Sequence, residues 1–334
     1  MRAYAIRRLL LVIPTLFLAT IIIFLLLRLM PGDIVDAMIV EMQNAFGGTE
    51  GVTEAQIRAE VEEELGLNVP VPTQYGRYMG VIPREDGSYS GILQGNLGNS
   101  MWYRKPVAEL IMPRLPVTVQ LSLMAIILSY LVAIPVGVYA AVRQDTWGDY
   151  LGRSFAVTWL AVPNFWLATM VMVFPALWWN WSPPIFIIRF VDDPIGNLGM
   201  FIIPALIMGL SSSGGMMRTT RTWMLEVLRQ DYIRTAWAKG LRERTVLIRH
   251  AFRNTLIPVV TRMGGQLPNL IGGTVIIENI FQLPGMGQLL LLALSRRDFT
   301  IVNALLLISG IAVVFGNLLA DLAYGFVDPR IRYR

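Results

Sequence analysis

The chain has 334 residues, of which 54% are hydrophobic and 15% charged, with a mean hydropathy of +0.54 and a formal net charge of +5. That balance excludes a soluble globular protein, and the absence of cysteine excludes disulfides and thiolate metal sites without deciding the compartment. The apolar residues fall in runs rather than at amphipathic spacing, so the expected fold class is an all-α integral membrane protein.

Six runs approach the ~20 residues a helix needs to cross ~30 Å of hydrocarbon. The first, Leu9 to Leu27, follows Arg2, Arg7 and Arg8. It exceeds the ~7–15 apolar residues of a cleaved signal and ends in Arg28-Leu29-Met30-Pro31-Gly32-Asp33 without a small-residue cleavage site, so it reads as a retained helix. The segment 31–116 is the only stretch able to form a small domain between spans. Within it Thr53-Glu54-Ala55-Gln56 reads as a capping box opening a helix with Ile57, Val61 and Leu65 on one face, closed by Gly66. The acidic run Glu62-Glu63-Glu64 is a solvated helix face or part of a surface for a protein partner.

The remaining runs are Val117 to Val142, Phe155 to Trp179, Met200 to Met217, Pro258 to Phe281 and Ile301 to Phe326, which define a core from 117 to 334. Six spans put both ends on one side, and charge selects the side. Three Lys/Arg precede the first span, two lie in Arg143 to Arg153, nine in Arg218 to Ile257 and three after Phe326, against nine on the opposite side. Six of those nine sit in the 31–116 segment, which is long enough to escape the positive-inside rule and carries 12 acidic residues. Both termini are therefore expected to be cytoplasmic, and the same asymmetry accounts for the net charge without nucleic acid.

The loop 218–257 is the most informative segment. Ala236, Ala238 and Gly240 are small enough for another protein to approach closely, while Arg229, Arg234, Lys239, Arg242 and Arg244 hold the segment out of lipid. The order Arg234-Thr235-Ala236, Ala238-Lys239-Gly240-Leu241, His250, Arg253-Asn254 and Pro258 resembles the loop by which ABC importer permeases engage their ATPase. Arg234-Thr235-Ala236 stands where the general signature begins Glu-Ala-Ala, and the proline lies further on. Both departures are those of the dipeptide/oligopeptide branch.

The resemblance extends over almost the whole chain and is to the B-type subunit of that branch. It is carried by Arg28-Leu29-Met30-Pro31-Gly32-Asp33, Leu65-Gly66-Leu67-Asn68-Val69-Pro70 with Gln74-Tyr75, and Gly95-Asn96-Leu97-Gly98-Asn99-Ser100 with Pro106-Val107. Arg114-Leu115-Pro116 with Thr118, Pro163-Asn164-Phe165-Trp166-Leu167, Glu278-Asn279-Ile280-Phe281 and Pro284-Gly285-Met286-Gly287 follow. Arg297-Asp298, Asp321 and Asp328-Pro329-Arg330-Ile331-Arg332 complete the order.

The fifth run is polar and glycine-rich. Arg262, Gln266, Asn269 and Gly273 share one helical stripe, the candidate translocation pathway, and Gly264, Gly265 and Gly272 allow close helix packing. Pro268 removes one backbone hydrogen bond and frees the carbonyl of Gly264. Glu278, near the outer end, must pair or reach water; it is a candidate gate or a helix-end contact. Asp321 reads as an interhelical hydrogen-bonding residue, and His250 as part of a docking surface, with no carboxylate or second histidine at ligand spacing.

The sequence holds no Gly-x-x-x-x-Gly-Lys-Ser/Thr phosphate loop and no nucleophile–base set, so no enzymatic role is expected of this chain. The resemblance implies the type I ABC importer permease fold, six transmembrane helices with an external loop domain between helices 1 and 2, and a translocation subunit in a prokaryotic cytoplasmic membrane, paired with a second, homologous permease. Two cytoplasmic ATPase subunits would carry ATP and Mg, no cofactor would bind this chain, and an external or periplasmic solute-binding protein would deliver cargo. Peptides are the expected cargo; nickel, glutathione and oligosaccharides are alternatives within the family. A passive channel or receptor would share the hydropathy but have no use for an ATPase-docking loop.

Overall fold

The computed structural model describes residues 2–28, 58, 68–84, 86–100, 102–181, 187–264 and 267–327, with the side chains of 2–5, 26–28, 257, 261–264, 267–273, 320–321 and 323–327 excepted. Apart from Arg58, the helix expected after Thr53 lies outside these residues, as does the terminal Asp328 to Arg332 motif.

Described in chain order, the helices are α1 (Arg2–Arg28), α2 (Val71–Met79), α3 (Val107–Ile111), α4 (Leu115–Val142), α5 (Trp147–Ala161) and α6 (Asn164–Trp179). They continue with α7 (Pro194–Leu228), α8 (Asp231–Ala238), α9 (Glu243–Thr245), a π-helical stretch Val246–Phe252, α10 (Arg253–Gly264), α11 (Leu267–Ile280), α12 (Met286–Ser295) and α13 (Phe299–Val327). Among the described residues, Ile6–Leu25, Val107–Val142, Pro194–Leu228 and Phe299–Leu319 are each long and apolar enough to cross a membrane. The bent pair α5 and α6 makes a fifth candidate.

The third expected run differs from a single straight helix. It is divided between α5 and α6, which meet at 88°. Pro163 is the cause: it clashes with a helical residue before it, and Val162 accordingly takes extended dihedrals of −78° and 119°. The fifth expected run corresponds to α10 and α11, with Gly265 and Gln266 between them outside the described residues. Elsewhere the start of α7 follows from its sequence. Asp193 caps it by accepting the amides of Ile195 and Gly196 at 3.1 and 3.0 Å, and Pro194 sits where no amide is required.

The chain forms two compact units, the larger comprising 1–10, 117–287 and 315–334. Its core joins α4, α6, α7 and α11 through Leu121, Ala125, Ala168, Phe201, Met208 and Ile277. Lipid is as apolar as these side chains, so in a bilayer close packing rather than apolar burial holds them together. Glycines make that packing possible. A Cβ on Gly209 would lie 2.8 Å from the carbonyl oxygen of Ala125 in α4, and one on Gly214 2.5 Å from that of Ala156 in α5.

The second unit comprises 11–116 and 288–314. In it α1 packs Phe24 edge-on to Tyr75 of α2 at 5.2 Å, and the Thr20 and Tyr75 hydroxyls share a 2.8 Å hydrogen bond.

Candidate functional site

Three residue groups bear on function. The first is the basic segment. In α8, Ile233 and Ala236 are buried against Met224 and Leu228 of α7, Ala141 of α4, and Val246 and Ala251 of the π-helical stretch. Arg234, Thr235, Ala238, Lys239, Gly240 and Leu241 are exposed. The small side chain of Ala236 is thus used inside the chain, while Ala238 and Gly240 face outward. Gly240 ends the helix at φ +72°, donating its amide to the Trp237 carbonyl at 2.9 Å, and no atom would meet a Cβ placed there. Glycine is needed for the backbone turn, not for space within the subunit.

Following this turn, the chain is tied back to α8. Asn254 Nδ2 donates to the Tyr232 hydroxyl at 2.8 Å and to the His250 carbonyl at 3.0 Å, and the buried Thr255 hydroxyl donates to Ala251 O at 3.1 Å. The result is an exposed, cationic helix end seated on a packed base. It also leaves Tyr232, Trp237 and Ile248 exposed beside the cations.

The second group surrounds Glu278, which is fully buried. Its Oε1 accepts the Thr118 hydroxyl at 2.7 Å and its Oε2 accepts the Gly287 amide at 2.7 Å, while Thr118 Oγ1 accepts the Met286 amide at 2.8 Å. One carboxyl group therefore joins the first turn of α4, the end of α11 and the start of α12. The turn between α11 and α12 folds directly over it. A Cβ on Gly285 would lie 2.3 Å from the Glu278 carboxyl carbon, and one on Gly287 2.5 Å from the Val275 Cα. Sequence reasoning singled out Glu278 but gave it no partner.

The third group lies in the smaller unit. Asp298 is buried, caps α13 by accepting the Ile301 amide at 3.2 Å, and accepts the Ser100 hydroxyl. Ser100 Oγ in turn accepts the Tyr103 amide at 2.9 Å. Arg296 donates to the Tyr103 hydroxyl at 2.8 Å with its guanidinium 4.8 Å above the Trp102 ring. These contacts fasten the turn between Asn99 and Pro106 to the start of α13.

Of the expected pathway residues, Arg262 falls in α10 and Asn269 and Gly273 in α11, with their side chains outside the described set, as is Gln266 altogether. Asp321 falls in α13, its side chain likewise not described.

Several exposed apolar helices long enough to cross a membrane, with a cationic segment presented beside them, define a multi-pass membrane protein. The chain belongs to the binding-protein-dependent transport system inner membrane component family, whose pattern matches residues 133–333, with the N-terminal pattern of the same systems matching 1–122. It is similar, at 37% identity over 337 residues covering all of both chains, to the oligopeptide transport system permease protein AppB of Bacillus subtilis (strain 168). Similarity to the dipeptide transport system permease protein DppB of Escherichia coli (strain K12) is 36% over 357 residues, again covering all of both chains. A chain from Brucella abortus (strain 2308) is 39% identical over 333 residues and is likewise matched end to end. This is an ABC importer permease, a membrane component of a transport system.

Proposed function

We propose that this chain is one of two related permease subunits of an importer of di- and oligopeptides, driven by ATP hydrolysed on separate subunits that hold the nucleotide and Mg. It crosses a prokaryotic cytoplasmic membrane six times, with both termini cytoplasmic and residues 31–116 external. The observation that carries the reading is the exposed cationic end of α8 seated on α7 and α4, a geometry suited to receiving a push from a second protein. Peptide cargo is favoured by the relatives named for oligopeptide and dipeptide transport, at 37% and 36% identity, over the glutathione transport system permease protein GsiC of Salmonella paratyphi A, at 34%.

Under this reading Arg234, Thr235, Ala236, Ala238, Lys239, Gly240 and Leu241 form the ATPase-coupling segment. Closure of the ATPases draws the segment inward and turns the central cavity outward to take peptide from the binding protein; hydrolysis resets it. The test is reconstitution with the neighbouring permease, ATPases and binding protein, measuring ATP-dependent uptake of a pool of di- to penta-alanine peptides. Ala238→Glu is expected to abolish coupled uptake while leaving the amount of assembled membrane domain unchanged, because the position is exposed within the subunit; Gly240→Trp should also abolish it, with some loss of assembly because φ of +72° strains any side chain there. Full coupled uptake with both substitutions would exclude the assignment.

Arg262, Gln266, Asn269 and Gly273 are assigned to the pathway, and Glu278 to its gate region. Gln266→Leu with Asn269→Leu is expected to change which peptide lengths are imported, with assembly intact, since removing polar groups alters what a cavity wall tolerates. Photo-crosslinkers at 266 and 269 that capture only lipid in every nucleotide state would move the pathway elsewhere.

A further inference from the structure

An ion pair at the start of the basic loop 218–257 joins α5 to α7. Asp149, in the first turn of α5, is fully buried, and Arg221 of α7 grips it with both arms of its guanidinium, Nε to Oδ1 and Nη2 to Oδ2, each at 2.7 Å. Oδ2 also accepts Nη2 of Arg153 and the Asp145 amide, both at 3.0 Å. A buried pair of this kind gives no stability that apolar side chains of the same volume could not match, so its physical contribution is directional. A bidentate fork fixes both the rotation and the axial register of one helix against another.

Its position gives that constraint a use. Arg221 lies seven residues, or about 10 Å of helix, before Leu228, where α7 ends and the chain turns into α8. One turn beyond Arg221, Met224 is buried in the cluster that seats Ile233 and Ala236 of α8. On the other side α5 leads through the 88° bend at Val162 into α6. α5 also packs closely on its neighbours: a Cβ on Gly152 would lie 2.9 Å from Met217 Cε and 3.3 Å from Ala140 Cβ, and one on Gly214 2.5 Å from the Ala156 carbonyl oxygen. The fork adds a directional polar contact to that close packing.

We propose that Asp149 and Arg221 are positioning residues that make α5 follow α7 and the coupling segment, so that a displacement received at α8 is delivered to the bent α5–α6 pair. The inference rests on the coupling role proposed for α8. With the pair intact, α5, α7 and α8 move as one body; without it, α7 and α8 still move and α5 lags.

The experiment uses the assembled complex in lipid nanodiscs and liposomes, with Asp149→Asn and the milder Arg221→Lys, which keeps the charge and loses the fork. Uptake of the alanine peptide pool per ATP hydrolysed is expected to fall about tenfold for Asp149→Asn and less for Arg221→Lys, while basal ATPase activity is retained. A purely structural pair would instead lower the yield of complex and leave uptake per ATP unchanged. Because the chain has no cysteine, spin labels at Ser154→Cys and Glu226→Cys report the α5–α7 distance directly. One narrow distance, the same in nucleotide-free and ATP-trapped states, is expected for the parent, and a broadened, nucleotide-dependent one for either variant.

Parent-like uptake per ATP in assembled Arg221→Lys, or an unchanged narrow distance in the variants, overturns the proposal. If Asp149→Asn does not assemble, Arg221→Lys decides. A parent complex that imports none of the peptides would count against the cargo reading, while the distance measurements still decide on the pin.

Discussion

Glu278→Ala is expected to destabilise the assembled membrane domain by about 2–6 kcal/mol, because it leaves the buried Thr118 hydroxyl and Gly287 amide without their acceptor at about 1–3 kcal/mol each. Glu278→Gln keeps the volume but places an amide donor where two donors converge, so it should restore only part of the loss. Gly285→Ala should also be costly, since its Cβ would lie 2.3 Å from the carboxyl group it covers. The two effects are coupled through the same atoms. In a double-mutant cycle, Gly285→Ala should cost less in the Glu278→Ala background than alone, by about 0.5–3 kcal/mol. Thermal unfolding of the purified complex measures the stabilities, and peptide uptake measures whether the α4, α11 and α12 ends must stay joined for transport. Strict additivity would mean that the turn does not rest on the carboxyl group.

Long apolar runs were the legible part of this fold. For α1, α4, α7 and α13, length and apolarity alone decide between a span and a core helix, and no tertiary knowledge is needed. The division of Phe155 to Trp179 at Pro163 is not legible in hydropathy, because an apolar run has no direction and cannot register an 88° turn. The coupling segment was legible as an ordered motif, yet motif order carries no facing. Only the packed structure separates the buried Ala236 from the exposed Ala238 two residues on.

The polar pins were the least legible. Thr118 and Glu278 are 160 residues apart, and Asp149 and Arg221 are 72 apart, so no local pattern links either pair. Arg221 was also hidden by a sufficient explanation: in a loop rich in Lys and Arg, one more cation is accounted for by topology. The general signal available was that a charge beside an apolar run needs a named partner. That rule would have marked Asp149 and Arg221 as positions to explain, without saying that they meet.

The same logic predicts the effect of Asp298→Ala in the smaller unit. The substitution removes the cap of α13, worth about 1 kcal/mol, and the acceptor of the Ser100 hydroxyl, worth about 1–3 kcal/mol when the donor is left buried. Ser100→Ala keeps the cap of α13 but loses both the contact to Asp298 and the acceptor of the Tyr103 amide, so it should loosen the turn without unfastening the helix start. In the proposed orientation the turn between Asn99 and Pro106 is external, beside the start of α13. Loosening it should reduce stimulation of ATP hydrolysis by the binding protein several-fold, while basal hydrolysis, which depends on the opposite face, stays near the parent value. Lysines in place of Glu62-Glu63-Glu64 give the comparison, since they change charge on the same proposed external segment and leave Asp298 and Ser100 unaltered. If Asp298→Ala retains both parent stability and full stimulation, the anchor neither holds the turn nor serves reception of the binding protein. If stability falls and stimulation does not, the turn is a structural strap and the receiving surface lies elsewhere on residues 31–116.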